Sequence, residues 1–239
     1  MTMHAAAAQR SVVQALPALL NASDVATVLS LGAEMAGAKQ WKHADRSSSV
    51  TFLHSDDRFA SQCPKVAEKV QSAAVAAERS LYPQNGARLP LRVRCAELHV
   101  YGVGGGLSDV EHYDSGSVIT VDVRLSEAGG FGGGSFDTTD ADGGVVTHAL
   151  ARAGDALAFV SHKCHHVQPV TRGERTVLVV EFWTGQARVC NHRCTQRAGT
   201  CTAALARSHG SGTDPFFALL DADALEAAFT LDGYDSSDS

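Results

Sequence analysis

The sequence predicts an α+β chain with a mainly β core: a barrel or sandwich of short strands, with N-terminal helices packed on one sheet. Three observations lead there. From Leu91 to about Trp183, β-branched runs alternate with Gly- and Asp-rich turns, which suits a barrel or sandwich and not a parallel α/β sheet. Before residue 90, two stretches carry helical spacing instead. The 239 residues, 44% hydrophobic and 19% charged, supply enough apolar surface for one core.

Taken in order, the first residues "MTMHAAAAQRSVVQALPALLNAS" lack a basic–apolar–cleavage pattern, because Gln14 and Pro17 interrupt the apolar stretch. No apolar run reaches the ~18–20 residues of a membrane helix. The expectation is a soluble cytoplasmic protein, with room left for an organelle-targeting signal. "NASDVATVLSLGAEMAG" reads as a helix capped by Asn21 or Ser23. "SSSVTFLH" has strand composition, and "SQCPKVAEKVQSAAVAAERSLY" is a second helix rich in Ala and straight-chain residues. Pro83, Asn85 and Gly86 mark a break. Strands are then expected in "LRVRCAELHVYGV", "SVITVDVRL", "GVVTHALA", "ALAFV" and "RTVLVVEFW". A Cys-rich stretch, a helix across "PFFALLDADALEAAF" and a disordered Ser/Asp tail complete the chain. The organisation expected is helical support over 1–90, a β core over 91–185 and a Cys-rich, acidic extension over 186–239.

The net charge of -6 is concentrated at the end of the chain. After Arg207 no Lys or Arg follows, whereas seven acids do; without them the body carries twenty basic and nineteen acidic residues. Such a body offers no electrostatic footprint for nucleic acid or anionic lipid. Oligomeric state leaves no signal.

Chemistry enters at "VEHYD". On a strand, residues i and i+2 share a face, so His112 and Asp114 would project together while Tyr113 points away. An isolated His-x-Asp is more often a solvated strand face. With one further histidine it becomes a two-His-one-carboxylate triad, which leaves positions on a metal open. The candidates are His162, His165 and His166, just before the last strong strand. Arg175 opens that strand, and its planar fork suits the carboxylate of a small co-substrate. Its ordinary reading is a surface arginine.

Together, "HYD" and the later "HHVQPVTRGER" resemble the Fe(II)- and 2-oxoglutarate-dependent dioxygenases of the prolyl 4-hydroxylase type. The family's H-x-x-x-P-V-x-x-G-x-[RK] stretch runs here from His165 through Pro169, Val170 and Gly173 to Arg175. "YGVGG" is similar to the family's lead-in, and "FGGGSF" to its Phe-x-Gly-Gly-x-[LF] segment. The similarity spans most of residues 12 to 185; the lead-in before His112 is slightly longer than in collagen-type members. The resemblance implies a double-stranded β-helix of the jelly-roll or cupin type. It implies Fe(II) on His112, Asp114 and His165, with His162 a bystander. It also implies 2-oxoglutarate on Arg175, with Tyr101 and Thr120 as further co-substrate contacts, O2 as oxidant and ascorbate as reductant. The implied reaction converts 2-oxoglutarate to succinate and CO2 while hydroxylating an unactivated C–H bond, foremost of a prolyl or related side chain in a peptide or protein. Relatives acting on free amino acids or other small molecules share the core, so the fold leaves the substrate open. A non-catalytic β-sandwich binding module and a zinc hydrolase are the readings from other classes.

The glycines at 104–106 and 129–134 read as turns, with a mobile loop near the site as the functional alternative. No phosphate-binding Gly-x-x-x-x-Gly-Lys pattern is present. In "VCNHRCTQRAGTC", Cys190, Cys194 and Cys201 with His192 admit three readings: unpaired thiols, a disulfide, or a Cys₃His zinc site with non-standard spacing.

Overall fold

The structure, a computed structural model, describes residues 3–36, 40–42, 47–82 and 88–202. The helix expected at 215–229 and the acidic tail lie outside the described residues. Helices α1 (Met3–Arg10), α2 (Ala22–Met35), α3 (Arg58–Gln62) and α4 (Pro64–Leu81) occupy the N-terminal part. Three short strands lie among them: β1 (Gln14–Leu16), β2 (Gln40–Lys42) and β3 (Ser48–Phe52). Nine more follow: β4 (Arg92–Tyr101), β5 (Ile119–Arg124), β6 (Phe131–Gly133), β7 (Phe136–Thr139), β8 (Val145–His148), β9 (Ala156–Val160), β10 (His165–Val167), β11 (Val170–Gly173) and β12 (Arg175–Trp183). None of the described helices is long and apolar enough to cross a membrane.

Helix α2 begins where the sequence says, with Asn21 as its cap. Asn21 accepts from the Asp24 amide at 2.9 Å, and the Asp24 carboxylate accepts from the Asn21 amide at 3.0 Å. This reciprocal capping box satisfies two otherwise free N–H groups. Helix α4 carries Pro at its first turn, where no intrahelical N–H is needed. Its buried stripe, Val66, Val70, Ala74 and Ala77, repeats at helical spacing and packs on one face of the main sheet.

That sheet has seven strands in the order β1-β9-β5-β12-β4-β3-β2, paired antiparallel throughout. Its helix-facing side is apolar: Ala96 and Leu98 on β4, Val121 and Val123 on β5, Leu178 and Val180 on β12. Each fully buried Val or Leu contributes roughly 1.5–3 kcal/mol, so this layer anchors the fold. Two small antiparallel sheets, β10-β7-β8 and β11-β6, pack on the other side. Phe136 and Val167 meet Leu157 and Phe159 there, and Val170 and Phe131 meet Tyr101 and Val177. Two layers of antiparallel strands with helices on one outer face match the predicted class.

The segment expected as glycine turns is partly strand. Phe131–Gly133 pairs antiparallel with Val170–Gly173, and the register shifts at a bulge between Val170 and Arg172. Gly173 has φ +69°, and a Cβ there would overlap the Gly130 carbonyl oxygen. Only glycine meets both constraints without strain. The turn it makes delivers the chain into β12 at Arg175.

Candidate metal centre

Residues 110–111 are a turn and 112–114 irregular chain, not the strand on which the sequence argument placed His112 and Asp114. Strand periodicity therefore does not aim the two side chains; loop anchoring does. The Asp114 amide donates to the Ser161 carbonyl at 2.8 Å, and the His165 amide donates to the His112 carbonyl at 2.9 Å. These bonds bind the His112–Asp114 segment to the segments after β9 and at the start of β10. Tyr113 faces outward, 46% exposed, with its ring 5.5 Å from that of His162.

This anchoring brings His112, Asp114 and His165 together. One ligand atom from each lies within 4.8 Å of the others. His112 Nε2 is 3.4 Å from Asp114 Oδ1, and His165 Nε2 is 3.8 Å from Asp114 Oδ2. Donors bound at roughly 2.1 Å to one ion stand about 3.0–3.4 Å apart, so a small contraction closes the set around a metal. The two imidazoles are nearly perpendicular, at 88°. Asp114 and His165 are buried, whereas the His112 side chain is 27% exposed, so the centre opens on the His112 side.

The neighbouring histidines separate cleanly. His165 Nδ1 bonds the Lys163 carbonyl at 2.9 Å, which leaves Nε2 with its lone pair towards Asp114. The ring is packed between Phe136, at 5.4 Å, and Phe159, at 5.1 Å. His166 turns to the opposite face and meets Asp137 at 3.3 Å. Burial lowers the His165 pKa against the opposing pull of Asp114, so the ring stays neutral and able to coordinate. Burial alone would raise the Asp114 carboxyl, but His165, His112 and Arg193 around it hold it well below the usual carboxylate range.

Thr120, expected as a co-substrate contact, has other partners. Its hydroxyl donates to Asp114 Oδ2 at 2.7 Å and lies 2.9 Å from Ser161 Oγ. This bond orients the carboxylate. Thr120→Val should therefore lower divalent-metal affinity by about 10–100-fold, the usual cost of losing a partner of a ligand. Titration of Fe(II) or Mn(II) under argon measures it.

Arg175 lies at the start of β12 and is only 5% exposed. Its guanidinium stands 5.6 Å from the Tyr101 ring and 3.7 Å from Asp122 Oδ2. Nη1 has no hydrogen-bond partner among the described residues. A buried guanidinium nitrogen without an acceptor is costly, and an incoming carboxylate removes that cost. Gly134 makes room for the side chain: a Cβ there would stand 3.0 Å from Arg175 Cδ. A cavity of about 170 Å³ reaches Arg175, bounded by Arg124, Phe131, Phe136 and His148. None of the three metal-site residues lines it, but Phe136 both borders the cavity and stacks on His165. Tyr101 also contacts His99, at 3.3 Å, and burial pushes its pKa up to about 12, so it remains a phenol.

No protein-family model and no curated protein matches the sequence. Solved structures do match in shape. A 2OG-Fe(II) oxygenase family oxidoreductase from Burkholderia pseudomallei has a TM-score of 0.51 and 18% identity, covering 74% of this chain and 88% of that one. A Pseudomonas putida prolyl-4-hydroxylase has a TM-score of 0.53 and 16% identity, over 72% and 93%. The alpha-ketoglutarate-dependent epimerase SnoN from nogalamycin biosynthesis has a TM-score of 0.54 and 16% identity, over 74% and 80%. The chain has the fold of the 2OG-Fe(II) oxygenases.

Within this oxygenase fold, the inner face of the main sheet is strongly polar, and the sequence reading missed it. Glu97, His99 and Tyr101 on β4, Thr120 and Asp122 on β5, and Glu181 on β12 all point between the sheets. His99 Nε2 meets Glu97 at 2.8 Å, and Ser117 donates to Glu181 at 2.6 Å. Arg193 enters from the Cys-rich segment, 2.6 Å from Glu181 Oε1 and 3.6 Å from both Glu97 Oε2 and Asp114 Oδ1. Burial would raise Glu97, but Arg193 and His99 hold it low. Glu181 and Asp122 are raised by burial despite their arginines.

Proposed function

We propose that the chain is an Fe(II)- and 2-oxoglutarate-dependent dioxygenase that hydroxylates an unactivated C–H bond, foremost of a prolyl or related side chain in a peptide or protein. The observation that carries the reading is the pairing of two features between the sheets. A convergent His112–Asp114–His165 donor set and a buried arginine with a nitrogen to spare lie within electrostatic reach of the same Asp122 carboxylate. Two imidazoles and one carboxylate suit Fe(II) and leave part of its coordination open.

When bound, iron and 2-oxoglutarate supply the oxidising chemistry, with succinate and CO2 as by-products. The protein's part is placement. His112, Asp114 and His165 hold the metal, with Thr120 and the Lys163 carbonyl fixing the orientation of two of them. Arg175 takes the far carboxylate of 2-oxoglutarate, with Tyr101 alongside. Phe136 and Phe159 wall His165 from water. The exposed edge of His112 leaves an approach for substrate. Ascorbate as reductant follows from the same reading.

Prolyl hydroxylases from a chlorella virus, Trichoplax adhaerens and Pseudomonas putida are among the matching structures, which supports a peptidyl substrate. The epimerase and a carbocyclase of nogalamycin biosynthesis support the alternative of a small molecule. A proline-containing peptide library and a mixture of free amino acids, each incubated with the chain, Fe(II), 2-oxoglutarate and O2, separate the two. The peptidyl reading expects products heavier by one oxygen atom on proline; hydroxylation of free amino acids alone overturns it.

A further inference from the structure

The segment between β12 and residue 202 has a packing problem that the dioxygenase reading does not touch. Residues 184–201 contain no helix or strand, yet Arg188, Cys190, His192 and Cys194 within them are buried. The segment has no apolar core of its own, because Ala187, Val189 and Ala198 are all exposed. Irregular stretches of this length inside a compact domain need something to close them.

The four soft donors meet at one point. One ligand atom each from Cys190, His192, Cys194 and Cys201 lies within 4.8 Å of the others. Cys194 Sγ is 3.6 Å from Cys201 Sγ, and Cys201 Sγ is 3.3 Å from His192 Nε2. Thiolates about 2.3 Å and an imidazole about 2.0 Å from one tetrahedral ion are separated by roughly 3.7 Å (S–S) and 3.5 Å (S–N). The observed separations match those edges. A disulfide needs about 2.05 Å between its sulfurs, far less than the 3.6 Å between Cys194 and Cys201.

The surroundings fix the loop in this arrangement. His54 accepts from the Ala96 amide through Nδ1 and donates from Nε2 to the His192 carbonyl, each at 3.1 Å. Arg94 Nε donates to the Cys194 carbonyl at 2.9 Å, and Arg188 Nη1 to the Gly199 carbonyl at 2.8 Å. Between the donors His192 and Cys194 sits Arg193, the residue that reaches Glu97, Glu181 and Asp114.

We infer that Cys190, His192, Cys194 and Cys201 bind one structural Zn(II), which closes the 184–201 segment and holds Arg193 against the inner-face carboxylates beside the His112–Asp114–His165 centre. A Cys₃His set with no open position suits zinc and a structural role. The site is separate from the His112–Asp114–His165 triad, so it stands whether or not that triad binds iron.

The test is metal analysis of the full chain purified under reducing conditions and dialysed against an iron chelator. About one zinc per chain is expected, released when a mercurial blocks the thiols. Asp114→Ala should keep that zinc, and the double variant Cys190→Ser, Cys194→Ser should lose at least nine-tenths of it. Because the double variant can fail to fold, cobalt is also substituted into the unmodified chain. Thiolate-to-cobalt charge-transfer bands with the intense visible bands of tetrahedral cobalt are expected. A chain that takes up neither zinc sulfate nor cobalt at this stoichiometry, a Cys194–Cys201 disulfide after reducing purification, or loss of the zinc in Asp114→Ala overturns the proposal.

Discussion

Arg175→Met should raise the KM for 2-oxoglutarate by about 100–1,000-fold while leaving kcat within a few-fold once the co-substrate saturates. Arg175 is buried on β12 with one guanidinium nitrogen lacking a partner and the other 3.7 Å from Asp122. Truncating one side of a desolvated charge pair costs roughly 2–5 kcal/mol, and each 1.4 kcal/mol is tenfold in binding. In the proposed placement the guanidinium meets the end of 2-oxoglutarate remote from the metal, so the loss falls on binding. The variant should still fold. Burial already raises the pKa of Asp122, so without its arginine the carboxyl takes up a proton and does not remain an unpaired charge. Steady-state kinetics with varied 2-oxoglutarate measure the effect, and Arg175→Lys should lie between the two. A KM shift below about fivefold in the Met variant would remove Arg175 from the co-substrate site.

Asp114→Ala should abolish turnover and weaken Fe(II) binding by more than the 10–100-fold that loss of a ligand's hydrogen-bonding partner costs. Asp114 is the central member of the donor set, facing His112 Nε2 at 3.4 Å and His165 Nε2 at 3.8 Å. It is also the anion that His165, His112 and Arg193 share. Without it, the Arg193 guanidinium and a dication would face each other with no negative charge between them. Asp114→Asn keeps the shape and removes the charge, so its metal affinity should fall between wild type and the alanine variant. Anaerobic Fe(II) titration with circular dichroism as the folding control reads the result. A folded alanine variant that binds iron as tightly as wild type would falsify the ligand assignment.

Much of this arrangement was legible in the sequence, for reasons that differ from element to element. Helices α2 and α4 announce themselves through Asn21, Pro64 and the spacing of Val66, Val70 and Ala74. The long strands β4, β5 and β12 are dense in β-branched residues. Strands of three or four residues such as β6, β10 and β11 are too short for any period to show. Glycine concealed β6 further, because Gly132 and Gly133 read as a turn until Val170–Gly173 pairs with them.

The triad residues converge although the reason first given for His112 and Asp114 does not hold. Their convergence depends on Ser161 and His165, some fifty residues away. The inner-face network shows a different limit. In "CAELHVY" and "TVDVR", polar and apolar residues alternate, which ordinarily marks a half-solvated strand. Alternation shows that the two faces differ, but not that a second sheet covers the polar one. Glu97, Asp122 and Glu181 are each less than 5% exposed, with Arg193 against Glu97 and Glu181 and Arg175 against Asp122. Arg193 carries no local signal at all, since only the fold of residues 184–201 turns it inward.

The most direct test of the central claim is to follow succinate from 2-oxoglutarate with the peptide library present, omitting Fe(II), O2 and 2-oxoglutarate in turn. The expected result is succinate only when all three are supplied, and none above background from Asp114→Ala. Succinate formed at the same rate without iron, or by the Asp114→Ala chain, would contradict it.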